Sequence, residues 1–242
     1  MGWKANIAIA AGLMIVAAAV ERAAAERRRH DKADTSHALD RIRALYDRGA
    51  VRYDRAMAVL DAWIFADSRR WVAEQAHGSV LELAAGSGRN FRYYPPTARV
   101  TAQDLSLVML QRARTRAAAA GIPVHLQAGD AQSLAFGDAR FDAVVCTLGL
   151  CTIPDERRAL REAWRVLRPG GRLLLLEHVR SAHPVVYAAQ RILDPIVCLL
   201  ARDHLLRDPL DLVVGAGFEV LHVDRLALNT IERLSACKPL QI

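Results

Sequence analysis

Lysine is nearly missing from this 242-residue sequence: of its 33 basic residues only Lys4, Lys32 and Lys238 are lysines. The net charge of +7 is therefore carried by arginine. The arginines are spread along the chain and interleaved with acids, as in Asp155-Glu156-Arg157-Arg158. Such spacing describes solvated helix faces and argues against a nucleic-acid partner. Cysteine is scarce as well. Cys146, Cys151, Cys198 and Cys237 form no CxxC pair, which excludes a disulfide framework and points to reduced thiols in a reducing compartment. No metal is expected. Repeats and low-complexity linkers are missing, apart from a bias towards alanine. With 52% hydrophobic and 24% charged residues, the chain suits one large α/β domain with additions.

No hydrophobic run reaches the ~20 residues of an ordinary membrane-spanning helix. Ala5 to Val20 comes nearest, sixteen residues without a charge. As a helix it would be about 24 Å long, against a hydrocarbon core of ~30 Å. Arg27-Arg28-Arg29 and Lys32 follow it, while only Lys4 precedes it. That asymmetry makes residues 1–33 a hydrophobic N-terminal helix with a basic flank, a candidate membrane anchor that leaves the remainder on the cytoplasmic side. The alternatives are a helix packed on the domain or on a partner, and a signal peptide cleaved after Ala23-Ala24-Ala25.

Residues 34–78 read as a helical lead-in, with Leu39, Ile42, Leu45 and Tyr46, then Val59, Leu60, Trp63 and Ile64, at helical spacing. An α/β domain occupies 79–242. Val80–Leu83 is a first strand, ending in Ala84-Ala85-Gly86-Ser87-Gly88, with a brief helix closed by Pro95-Pro96. Arg99–Gln103, Val124–Gln127, Phe141–Thr147 and Leu173–Leu176 are further strands. Helices run from the cap Ser106 to Gly121 and from Asp155 to Leu167, the latter ended by Pro169-Gly170-Gly171. Alternation of this kind predicts a parallel, doubly wound sheet with its ligand at the carboxyl ends of the strands.

Gly86-x-Gly88 after the first strand lets backbone approach a ligand closely. Asp104 closes the second strand, the position that holds ribose hydroxyls in such folds. Gly129-Asp130-Ala131 follows the third, where a carboxylate can accept from an adenine amino group. Dinucleotide dehydrogenases share the first two features. They do not share the third together with the Arg168-Pro169-Gly170-Gly171 turn.

Leu81-Glu82-Leu83-Ala84-Ala85-Gly86-Ser87-Gly88 resembles the first motif of class I S-adenosylmethionine-dependent methyltransferases, and Arg165-Val166-Leu167-Arg168-Pro169-Gly170-Gly171 is similar to another signature of that class. Within it the chain resembles the ubiquinone/menaquinone C-methyltransferase and phospholipid N-methyltransferase branch, through Tyr46-Asp47-Arg48 and Tyr53-Asp54. More specific still is the likeness to membrane-anchored thiol S-methyltransferases. It is carried by Tyr94-Pro95-Pro96, Val144-Val145-Cys146-Thr147-Leu148 with Cys151, Glu177-His178-Val179 and Leu193-Asp194-Pro195. The resemblance implies a seven-stranded, mostly parallel Rossmann-like sheet and S-adenosyl-L-methionine as cofactor, which in turn disfavours the signal-peptide reading. It implies a cofactor site of Glu82, Ala84, Gly86, Gly88, Asn90, Asp104, Leu105, Asp130, Ala131 and Thr147. The acceptor pocket would hold Tyr46, Tyr53, Cys151, His178 and His204. His178, at the end of the fifth strand, would be base or orienter; a plain hydrogen bond to a loop is the bland alternative. Cys151 reads as a small buried hydrophobe, and Tyr46 and Tyr53 as a lid or as core aromatics.

Two departures stand out. Ala84 replaces the first glycine of the usual motif, and Arg202-Asp203 replaces a Gly-Cys pair, with Leu205-Leu206-Arg207 retained. The implied activity is methylation of a small lipophilic acceptor, foremost a thiol. A quinone carbon or lipid amine is the alternative, and a non-catalytic cofactor-binding module a third. The sequence leaves the oligomeric state open.

Overall fold

The structure, a computed structural model, describes residues 35–240; the expected N-terminal hydrophobic helix lies outside the described residues. The chain opens with helix α1 (Thr35–Leu60), a π-helical turn (Asp61–Phe65) and α2 (Ala66–Glu74). The domain then runs β1 (Ser79–Leu83), a 3-10 turn (Phe91–Tyr93), β2 (Arg99–Asp104), α3 (Leu107–Ala120), β3 (Val124–Ala128), β4 (Phe141–Thr147) and α4 (Glu156–Val166). It finishes with β5 (Leu167–His178), α5 (Pro184–Ala201), α6 (Pro209–Gly215), β6 (Glu219–Leu226) and β7 (Ile231–Cys237).

Seven strands form one sheet in the order β3-β2-β1-β4-β5-β7-β6. Strands β1 to β5 pair in parallel, and β7 runs antiparallel between β5 and β6. The central strands are covered on both faces, which is why they read as mainly apolar runs. Leu173, Leu174, Leu175 and Leu176 are all buried, alternating between two core layers. Leu173 and Leu175 pack with Ala159, Leu160 and Ala163 of α4; Leu174 and Leu176 pack with Val72 and Ala73 of α2. The order turns back on itself between β1 and β4, and a crevice opens beyond their carboxyl ends.

Local signals hold at α3, where the Ser106 hydroxyl accepts from Met109 N (3.0 Å) and Gly121 caps the far end at φ 67°. Two expectations change. The helix expected after Gly88 shrinks to the 3-10 turn, because Pro95-Pro96 leaves no room to extend it. The expected turn at Arg168–Gly171 is a bulge inside a longer β5: Phe141 pairs with Leu167 and Ala143 with Arg172.

Helix α5 went unmarked in the sequence pattern. By length and composition it is apolar enough to cross a membrane, with a mean hydropathy of 1.4, and very little of it is buried.

Candidate active site

The crevice is a cleft of about 710 Å³. Ala84 and Gly86 from the loop after β1, Asp104 and Leu105 after β2, and Asp130 and Ala131 after β3 line it. Tyr46 and Tyr53 of α1 close one side, and Leu148, Gly149 and Thr152 the other. Six of the ten expected cofactor residues therefore meet on one surface.

Backbone geometry explains the loop. Gly86 and Gly88 sit at φ 55° and 79°, in the left-handed region that favours glycine. A Cβ on Gly88 would lie 2.4 Å from the Phe91 ring, so the glycine is also a packing requirement. Ala84 adopts φ 49°, a conformation that costs an L-residue roughly 1–2 kcal/mol. Its methyl is accommodated because residue 149 is glycine: a Cβ there would stand 2.7 Å from the Ala84 Cβ. The departure from the usual motif thus has a partner across the cleft.

Asp104 accepts from Gly86 N and Ser106 N, each at 2.8 Å, so one carboxylate ties the β1 and β2 loops together. Burial pushes its pKa up, against those two backbone N–H groups. Asp130 Oδ1 accepts from Gln132 N and Nε2, both at 2.9 Å, and faces the cleft beyond β3.

Glu82, Asn90 and Thr147 do not line the cleft. They are buried behind its wall in a network with Arg69 and Tyr94. Asn90 Nδ2 donates to Glu82 Oε1 and Thr147 Oγ1 (both 2.8 Å), and Tyr94 Oη donates to Glu82 Oε2 (2.8 Å). Gly88 likewise turns against Phe91 rather than the cleft. These groups shape the loop from behind. Burial raises the Glu82 pKa from 4.5 to about 7, with the Tyr94 and Asn90 hydrogen bonds opposing the rise. The folded state then keeps a proton that the unfolded chain releases near 4.5, so stability falls as pH rises through that window towards about 7. Glu82→Gln should flatten the profile of melting temperature against pH between 4.5 and about 7. A variant that keeps the wild-type slope would assign the titration elsewhere.

The lead-in helix carries the residues that the sequence reading missed. Asp47, Asp54 and Asp61 are seven residues apart and share one face of α1 and its π turn. Ser106 Oγ donates to Asp47, and Ser87 Oγ donates to Asp54 (2.5 Å). Arg112 and Arg116 also reach Asp54, while Asp61 pairs with Arg69 (2.8 Å) and Arg89. The aspartate period was visible in the sequence; its partners on distant loops were not.

A second, much smaller chamber of about 10 Å³, room for about one water molecule, lies beside the cleft, lined by Cys151, Glu177, His178 and Arg207. His178 Nε2 stands 2.7 Å from Asp203 Oδ1. Burial alone would lower the His178 pKa, but the hydrogen bond and charge of Asp203 outweigh it and hold it above the ordinary 6.5. The Cys151 thiol is hydrogen-bonded to Asp203 and pushed well up by burial and by Glu177, so it stays protonated and is no nucleophile. Sulfur, imidazole and carboxylate lie within 4.8 Å of one another. Two zinc ligands of this kind sit about 3.3 Å apart around a tetrahedral ion, so the 2.7 Å contact is that of a hydrogen bond. His178 Nδ1 and Glu177 Oε2 are buried and have no partner among the described residues. His204 lines neither cavity; its backbone N–H donates to Cys151 O (3.3 Å) and its ring meets Cys198 Sγ (3.8 Å). Tyr46 lies near Cys151 and Asp203. It lines the cleft, and its hydroxyl is held well above the usual pKa by burial, with Cys151, Asp203 and Asp104 all contributing.

Comparisons with known proteins agree with this geometry. Residues 81–175 match the family described as a methyltransferase domain. The chain is 36% identical over 169 residues to a demethylmenaquinone methyltransferase of Deinococcus radiodurans, covering 67% of this chain and 69% of that protein. It is 34% identical over 166 residues to a thiol S-methyltransferase of Homo sapiens, covering 63% of this chain and 64% of the human protein, just under two thirds of its length. Among solved structures, an S-adenosylmethionine-dependent methyltransferase of Thermotoga maritima superposes with a TM-score of 0.64 at 20% identity, over 81% of this chain and 99% of that one. The glycine loop, the acids beyond β2 and β3 and the reversal of strand order fit S-adenosyl-L-methionine, and the chain belongs to the class I S-adenosylmethionine-dependent methyltransferases, among the relatives of the ubiquinone/menaquinone C-methyltransferases.

Proposed function

We propose that this protein methylates the sulfur of a small lipophilic thiol. The observation that carries the reading is the His178–Asp203 pair, set in a buried chamber beside the cofactor cleft with Nδ1 unengaged among the described residues. S-adenosyl-L-methionine supplies an already activated methyl group when bound. Asp104 and Asp130 would hold its ribose and adenine, and Ala84 and Gly86 would underlie it. A thiol of ordinary pKa near 8.5 is mostly protonated at neutral pH. With its Nε2–H donating a hydrogen bond to the Asp203 carboxylate, neutral His178 would take the thiol proton at Nδ1. The thiolate so formed would be the nucleophile for the methyl group that the cofactor supplies. Tyr46, kept protonated, orients the acceptor between the two chambers. Cys151 fills space and supports Asp203.

The reading places the enzyme on the cytoplasmic side of a membrane, supported by the uncharged Ala5–Val20 stretch and the arginines behind it. A quinone ring carbon or a lipid amine is the second reading, favoured by the demethylmenaquinone methyltransferase relative. Incubation with labelled cofactor and a panel of lipophilic thiols, quinones and lipid amines distinguishes the two. Labelled thioether is the expected product; turnover of quinones or amines without any thioether would overturn the thiol reading. Calorimetric titration with the cofactor tests the non-catalytic alternative, which predicts binding without turnover of any acceptor in the panel.

A further inference from the structure

Helix α5 is built inside out. Its buried residues are Gln190 and Asp194, at 9% and 1% exposure. Gln190 accepts from Ser181 N and donates to Val179 O, both at 2.8 Å, and Asp194 accepts from Leu205 N at 2.8 Å. Polar groups thus fasten the helix to its neighbouring loops. The outward face carries Val185, Ile192, Leu193, Ile196, Leu199 and Leu200, each 49–72% exposed. A helix on a soluble protein normally buries its apolar stripe, and a contiguous exposed patch of large aliphatics marks a contact surface.

We infer that the outward face of α5 docks on the surface of a lipid bilayer bearing anionic headgroups. The charge distribution selects this occupant. Arg191 on the helix and Arg180 in the loop before it are exposed, Arg180 reaching Asp208 at 4.0 Å, while the acids Asp194 and Asp203 point inward to Leu205 N and His178. An apolar face rimmed by arginine is the pattern of an interfacial helix on anionic lipid. A second copy of the chain carries the same basic rim, so a face-to-face pair would set like charges together. The helix also leads directly to the partner of His178: Arg202 caps it in a left-handed conformation, and the next residue is Asp203. This contact is distinct from any made by the N-terminal stretch, and it holds whichever acceptor is methylated.

The test is hydrogen exchange, read by mass spectrometry on peptides covering residues 184–201 of the full-length protein. Vesicles of phosphatidylcholine and phosphatidylglycerol in equal parts should slow exchange in these peptides several-fold. Vesicles of phosphatidylcholine alone should slow it less. The double variant Ile192→Glu with Ile196→Glu should lose the effect, even where the N-terminal stretch keeps the protein on the vesicles. Should that variant fail to fold, Leu199→Gln with Leu200→Gln gives the same comparison, and the wild-type difference stands alone. Unchanged α5 exchange in vesicle-bound protein would overturn the proposal. So would a lipid-free dimer by light scattering that the glutamate pair dissolves, which would make this face a contact between copies.

Discussion

Asp54→Ala should destabilise the protein by about 3 kcal/mol, the lower end of the cost of breaking a buried ion pair, and weaken cofactor binding at least tenfold. Asp54 is 6% exposed and accepts from the Ser87 hydroxyl while pairing with Arg89, Arg112 and Arg116. Its removal leaves three guanidiniums facing one another without their carboxylate. The lower end of the range applies because the Arg112 and Arg116 side chains keep about a third of their exposure and so retain water. Cofactor affinity falls for a geometric reason: Ser87 stands between the two motif glycines, and Asp54 anchors α1, which carries Tyr46 and Tyr53, to that loop. Chemical denaturation and calorimetric titration with S-adenosyl-L-methionine measure the two effects. Asp40→Ala is the control. It lies on the same seven-residue period but, among the described residues, pairs only with the exposed Arg43, at 3.4 Å, so it should change stability by less than about 0.5 kcal/mol. Equal effects from both substitutions would remove the clamp from the account.

His178→Ala should lower kcat/KM for a thiol by about 10²-fold or more, the ordinary contribution of a positioned base. Asp203→Asn should act through the histidine. Wild-type kcat/KM should rise with pH through an inflection above 6.5, because His178 must lose its proton to act and Asp203 holds that pKa up. Without the carboxylate, burial and the Arg207 charge lower the histidine pKa, and the smaller pull of Glu177 is left to oppose them. The inflection in Asp203→Asn should therefore move to lower pH while the plateau falls. A thiol acidic enough to be ionised at neutral pH should recover most of the rate in both variants, since it arrives without the proton. A loss that is independent of thiol acidity would make His178 and Asp203 structural groups only.

The parts of this protein legible in its sequence are those set by local pattern. Mainly apolar runs gave away β1, β4 and β5, because a strand covered on both faces has little room for a polar side. Gly86 and Gly88, Asp104 and Asp130 could be placed because each follows directly on its strand, and parallel pairing brings all those strand ends to one edge. Strands β6 and β7 were less visible: β6 is only partly buried and carries Asp224 and Arg225 within it. Glu82, Asn90 and Thr147 were expected to hold the cofactor, and their position behind the cleft depends on Arg69, which lies 78 residues from Thr147.

The sequence by itself determined the alternation of strands and helices, the cofactor loop and hence the family. Tertiary structure alone decided three further matters. It paired His178 with Asp203 across 25 residues, set the aspartates of α1 against Ser87 and Ser106, and turned the polar side of α5 inward. The reason is physical. Backbone hydrogen bonding and burial impose periods of 2 and 3.6 residues that any stretch displays on its own, whereas side-chain hydrogen bonds between distant segments leave no period, and only the folded chain brings their partners within 3 Å.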